Sequence, residues 1–118
     1  MRVAISGSRT ITDKAIVIKA IQDSKINITS IISGDADGVD AIVAEYASEN
    51  GIEHTIVKPD WKKHGRAAGI IANKQILDSA EECIAVHDGV SKGTADFISK
   101  CNKKGLLVHI WRVSPTAL

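Results

Sequence analysis

At 118 residues the chain has the size of one domain, and 44% hydrophobic residues supply the apolar material for a single core. Only 3% are aromatic, so that core must be built from Ile, Val, Leu and Ala. A formal net charge of +1 offers no global field for nucleic acid or a membrane surface, and no apolar run approaches the roughly 20 residues of a transmembrane helix.

Short apolar runs alternate with longer helical ones. "VAIS" (Val3 to Ser6) reads as a buried strand ended by Gly7. "TDKAIVIKAIQDS" reads as a helix with Thr12 or Asp13 as N-cap and with Ala15, Ile18 and Ile21 on its inner face. "ITSIIS" (Ile28 to Ser33) is a second strand, and "GVDAIVAEYASENG" a helix closed by Gly51. "EHTIVKP" is a third strand stopped by Pro59; "GRAAGIIANKQILDSA" is a helix despite Gly69. "ECIAVH" (Glu82 to His87) is a fourth strand, "SKGTADFISKCNKKG" a helix closed by Gly105, and "LLVHIW" the last strand.

Nearly continuous apolar strands spaced by helices predict a mainly parallel sheet of about five strands covered on both faces. The expected fold is α/β, a Rossmann-like three-layer sandwich forming one domain over residues 1–118. Cys83 and Cys101 form no CxxC pair, and no His/Cys cluster has zinc spacing, so both cysteines are expected to be reduced and structural. Arg2 leads straight into a strand, so a signal peptide is not expected and the location is expected to be cytoplasmic.

In such sheets ligands bind at the carboxyl ends of the strands, near the topological switch point. Four loops fall there: "GSRT", "GDADGVD", "PDWKKHGR" and "DGVSKGTAD". In the first, Gly7 permits a sharp turn, Ser8 and Thr10 offer hydroxyls, and Arg9 offers a fork suited to phosphate. In the fourth, Asp88 and Gly89 lead to Ser91, Lys92, Gly93 and Thr94, where N–H groups and hydroxyls would meet a phosphate at a helix N-terminus. Ser91 and Thr94 are equally good structural N-caps. The loop has neither the ending of a Walker loop nor the spacing of a dinucleotide fingerprint. In the third, Trp61 can stack on a base or pack over the sheet edge, while Lys62 and Lys63 read as a solvated face. His64 and His87 are of a residue type that serves as a general base, but each is a lone histidine.

The order "ISGSR…SGDADGVDAIVAEYASENGI…KPDWKKHGRAAGIIANKQIL…HDGVSKGTADFI" resembles the SLOG superfamily, named for the Smf/DprA and lonely-guy proteins, and is most similar to its short YspA-like bacterial and phage branch. The resemblance runs over nearly the whole chain. It implies a Rossmann-like fold, a nucleotide-derived ligand and a homo-oligomer, dimeric or larger, located in a bacterium or, if phage-encoded, in its host. Some relatives are phosphoribohydrolases that cleave the base from a nucleoside monophosphate. Ser6 to Arg9 fit the first family loop, and Asp60, Trp61, Gly65, Arg66, Ala67, Ala68 and Gly69 fit the third. Gly34, Gly38 and Asp40 fit a second loop that usually reads SGGARGAD, but Asp35 and Asp37 stand where glycine and arginine are expected. Ala72 precedes Asn73 where the branch has arginine, and Asp96 stands where the lonely-guy enzymes carry a catalytic glutamate.

Those departures set the functional expectation. N-glycosidic cleavage passes through an oxocarbenium-like state needing a well-placed carboxylate, and a misplacement of about 1 Å costs on the order of 10²-fold. A binder of a nucleotide-derived molecule is therefore the first reading and a phosphoribohydrolase using Asp96 the second. A DNA-processing protein is the third, disfavoured by the charge balance. Three readings of the acidic loop stay open. Asp35, Asp37 and Asp40 accept bonds from ribose hydroxyls or a base edge; Asp35 and Asp37 hold a hard cation such as Mg²⁺ that bridges to phosphate; or Asp37 or Asp40 N-caps the following helix. No other cofactor or metal is expected.

Overall fold

The computed structural model describes residues 1–114. Five strands, β1 (Arg2–Gly7), β2 (Ser30–Ser33), β3 (Glu53–Ile56), β4 (Glu82–His87) and β5 (Val108–Arg112), form one sheet in the order β3-β2-β1-β4-β5. Every pairing is parallel, so the sheet is wholly rather than mainly parallel. The helices are α1 (Lys14–Ser24), α2 (Val39–Glu49), α3 (Trp61–His64), α4 (Ala68–Leu77) and α5 (Lys92–Lys103), with a 3₁₀ turn over Gly65–Ala67.

The strands alternate with period two between two cores. Val3, Ile5, Ile31, Ile84 and Val86 pack under α1 and α2. Ala4, Ile32, Cys83 and Ala85 pack under α4 and α5, with Phe97 filling the space between. Both cysteines are free and wholly buried in this second core. No described helix is long and apolar enough to cross a membrane.

Several boundaries differ from expectation for local reasons. β2 begins at Ser30 rather than Ile28, because its ladder partner β1 begins at Arg2, which pairs with Ser30. The inner face of α1 is Val17, Ala20 and Ile21, not Ala15, Ile18 and Ile21; Ala15 is exposed beside the N-cap Asp13, whose carboxylate accepts from Ala15 N–H. The segment expected to be a plain loop before α4 holds the short helix α3, capped by Asp60, which accepts from Lys63 N–H at 3.1 Å. Neither Asp37 nor Asp40 N-caps α2: the N-cap is Gly38 and no side chain bonds there.

Gly38 shows how the first two loops interlock. Its φ is +72°, and a Cβ there would stand 2.5 Å from the Arg9 carbonyl oxygen and 2.6 Å from that of Ser8. Val39 N–H donates to the same Ser8 carbonyl at 3.4 Å. Gly38→Ala combines left-handed strain with a clash against backbone, and is expected to cost about 2 kcal/mol or more in denaturant unfolding. Gly93→Ala, where a Cβ meets nothing within 4 Å and φ is not left-handed, is expected to be neutral or stabilising by up to about 1 kcal/mol.

Candidate functional site

The switch point lies between β1 and β4, where the chain leaves the sheet toward opposite faces. The buried polar residues gather at that edge: Ser8, Ser33, Asp40, His87, Asp88 and Thr94 all lie at or just beyond the carboxyl end of a strand. A cleft of about 780 Å³ opens there. Its walls come from all four expected loops and from α4.

The cleft brings together Gly7, Arg9, Gly34, Asp35, Asp37, Asp40, Trp61, Arg66, Asn73, Asp88, Ser91, Lys92, Gly93, Thr94 and Asp96. Ser8, Gly38 and Gly89 do not line it. Ser8 is fully buried beneath the loop, Gly38 is closed in under Ser8 and Arg9, and Gly89 supplies a left-handed turn at φ +90°. Gly7 lines the cleft for a packing reason, since a Cβ there would stand 2.5 Å from Val39 Cγ2.

Asp88 is consumed by the scaffold. Its Oδ1 accepts from Val90 N–H at 2.9 Å and Ser91 N–H at 2.8 Å, and its Oδ2 accepts from the Thr10 hydroxyl at 2.8 Å. Its own N–H donates to Ser8 Oγ at 3.1 Å. These bonds hold its carboxyl well below the usual range, at about 2, with the Val90 N–H the largest cause. Ser91 caps α5, and Thr94 closes a hydroxyl network with Ser91 at 3.2 Å and Ser8 at 3.5 Å. What α5 leaves open is its first turn: the N–H groups of Lys92 and Gly93 have no acceptor among the described residues.

Asp96 lies one turn further along α5. Its Oδ2 accepts from Asn73 Nδ2 at 3.0 Å and its Oδ1 from Lys100 Nζ at 2.6 Å, so both oxygens are engaged. Asn73 also donates to the Gly93 carbonyl at 3.2 Å, tying α4 to the phosphate-type loop. Arg9, Arg66 and Lys92 face the cleft with no carboxylate at ion-pair distance among the described residues; the lysine–carboxylate pairs join Lys14 to Glu45 and Glu49, Lys100 to Asp96 and Lys104 to Asp78.

The acidic loop has two layers. Asp35 and Asp37 are exposed, whereas Asp40 is 8% exposed. Asp40 Oδ2 accepts from Ala36 N–H at 3.1 Å, and its Oδ1 has no partner. Burial pushes its carboxyl up from 3.8 to about 6; Asp35 adds to the push, while the Ala36 N–H and Arg9 oppose it. Among the described residues no three acidic, histidine or cysteine side chains are arranged to hold a metal ion. His87 is buried with its Nδ1 3.7 Å from Asp88 Oδ1, and neither it nor His64 lines the cleft.

Trp61 is 54% exposed on the cleft rim, and Ile70, not singled out from the sequence, is equally exposed on the same wall. The signal for Ile70 was "GII": two successive isoleucines of one helix cannot both face the core. Gly69 lies beside the indole, and a Cβ there would make an ordinary contact with Trp61 Cη2 at 3.8 Å.

The two perturbed aspartates predict opposite responses to acid. The depressed Asp88 contributes stability above its unfolded value, lost as pH falls from about 4 toward 2. The raised Asp40 destabilises the fold at neutral pH, and that penalty is relieved as pH falls through about 6. Asp40→Asn is therefore expected to raise unfolding stability at pH 7.5 by on the order of 2 kcal/mol and to abolish the gain on acidification from pH 7 to pH 5. Asp88→Ala is expected to cost about 3 kcal/mol at pH 7.5. Urea titrations across pH measure both.

No curated protein and no solved structure matches the chain. A family model, YAcAr, described as the YspA, cpYpsA-related SLOG family, matches residues 1–64, from β1 through the first and second cleft loops to α3. With its doubly wound parallel sheet and more than half of its length matched, the chain belongs to the YspA, cpYpsA-related SLOG family.

Proposed function

We propose that the cleft binds a nucleotide-derived small molecule, such as a nucleoside phosphate or an ADP-ribose-like or signalling nucleotide, and that the protein senses, carries or sequesters it. The observation that carries this reading is the order of chemistry along the sheet edge. Reading across the strands, an aromatic and aliphatic wall (Trp61, Ile70) follows β3, carboxylates follow β2, Arg9 follows β1, and the open first turn of α5 with Lys92 follows β4. Base, sugar and phosphate are joined in that order. Adjacent strands lie about 4.8 Å apart, so the acidic loop and the α5 turn, two strands apart, are separated by roughly 10 Å.

Gly93 supports the phosphate end. Its lack of a side chain has no packing cause, since a Cβ would meet nothing, and its position at an open helix N-terminus suits close approach of an anion. Free cations support it as well: a ligand phosphate would give Arg9 and Lys92 the partner that the protein does not. The hydrolase reading is weaker, because Asp96 has both oxygens occupied by Asn73 and Lys100 and is a poor proton donor while so held.

Incubation with nucleoside monophosphates, ADP-ribose and cyclic dinucleotides, followed by thermal shift and chromatography, tests the reading. A stabilising compound recovered intact is the expected result. Lys92→Ala and Gly93→Val are each expected to weaken it about tenfold while leaving the fold stable. Release of free base, lost in Asp96→Ala, would replace the binder with the phosphoribohydrolase.

A further inference from the structure

Of the acidic side chains in the cleft, Asp40 stands apart. Asp35 and Asp37 are exposed, where solvent is free to satisfy them. Asp40 is more than nine-tenths buried, and its carboxylate makes one hydrogen bond, to Ala36 N–H, where a carboxylate has about four acceptor sites. Its Oδ1 has neither a protein partner nor solvent. A buried acceptor left unfilled is costly, and nothing in the fold needs this one. Gly34 forms the cleft wall over it: a Cβ at Gly34 would stand 2.8 Å from Asp40 Oδ2. Asp40 and Gly34 both line the cleft, a side chain at Gly34 would crowd the carboxylate, and the terminal torsion of an aspartate is soft enough to turn Oδ1 toward the cleft.

We propose that Asp40 is the specificity-determining residue of the cleft, and that it selects ligands carrying ribose hydroxyls by accepting their hydrogen bonds beside Gly34. This rests on the nucleotide reading above and assigns its sugar contact to one residue. Position favours a hydroxyl pair over a base amine, because the β2 loop lies between the apolar wall and the cationic turns. Burial supplies the discrimination. A solvated carboxylate gains little from a hydroxyl because it gives up water to take it, whereas Asp40 Oδ1 has no water to give up and gains the whole bond. Asp35 and Asp37 therefore add charge around the sugar but do not discriminate.

The test is isothermal titration of nucleoside 5′-monophosphates, each as the ribose and as the 2′,3′-dideoxyribose compound, at pH 7.5. The wild type is expected to prefer ribose by about tenfold or more. Asp40→Asn, which keeps the shape of the side chain, and Asp40→Ala, which keeps none of its polar atoms, are both expected to bring the ratio under about threefold. Asp35→Asn is expected to shift both sugars alike and preserve the ratio. A wild type that binds both sugars equally, or a preference that survives in both Asp40 variants, overturns the assignment and leaves nucleotide binding standing. Binding of neither sugar form for any base, with ADP-ribose and cyclic dinucleotides also unbound, overturns the nucleotide reading and this assignment with it.

Discussion

Everything at the carboxyl edge of this sheet depends on how two adjacent strands are held as their chains part. β1 and β4 are neighbours whose following loops lead to opposite faces. Such a split leaves backbone N–H groups without a ladder partner at the point where water is excluded. Here one carboxylate closes the gap. Asp88 gathers two N–H groups of its own loop and the hydroxyl of Thr10 from the other, while its N–H bonds Ser8. The loops meet through charge-assisted bonds stronger than neutral ones. Arg9, on one side of that clasp, and Lys92, on the other, are free to face outward because Asp88 does the holding.

The same clasp explains why the edge is polar in two senses. Its inner ring (Ser8, Asp88, Thr94) is buried and satisfied, and belongs to the fold. Its outer ring (Arg9, Asp35, Asp37, Lys92) is exposed and bonded to little. Asp40 belongs to neither, being buried yet underbonded. Proteins tolerate such a group where local stability is traded for function.

The architecture was legible in the sequence because the signal was local. β4 was read to the residue, since a half-buried Glu82 opens a run of five buried residues, and the left-handed glycines Gly51 and Gly105 marked two helix ends. All four cleft loops were placed. What was not legible depended on partners far along the chain. Nothing near Asp88 tells that Thr10, 78 residues away, will donate to it, so its part in the scaffold was not read. Gly38 looked like a loop glycine for a ligand and is one for the Ser8 and Arg9 carbonyls. The face of α1 was misjudged because isoleucines and alanines crowd that helix, leaving several stripes of similar apolar content. A helix cap stayed among the open readings of Asp40 because position alone cannot show a carboxylate turning back to Ala36.

The two-layered acidic loop also bears on how such proteins diversify. Its shape is set by Gly34, Gly38 and Asp40, through contacts with Ser8, Arg9 and Ala36. Asp35 and Asp37 take no recorded part in that shape, and they are the positions where this chain departs from the glycine and arginine of the resembling loops. Electrostatic character and scaffold are thus carried by different residues interleaved in one octapeptide. Exchanging these two surface residues would reverse the sign of the pocket's rim with no repacking beneath them, so the charge of the rim and the backbone that bears it can change independently.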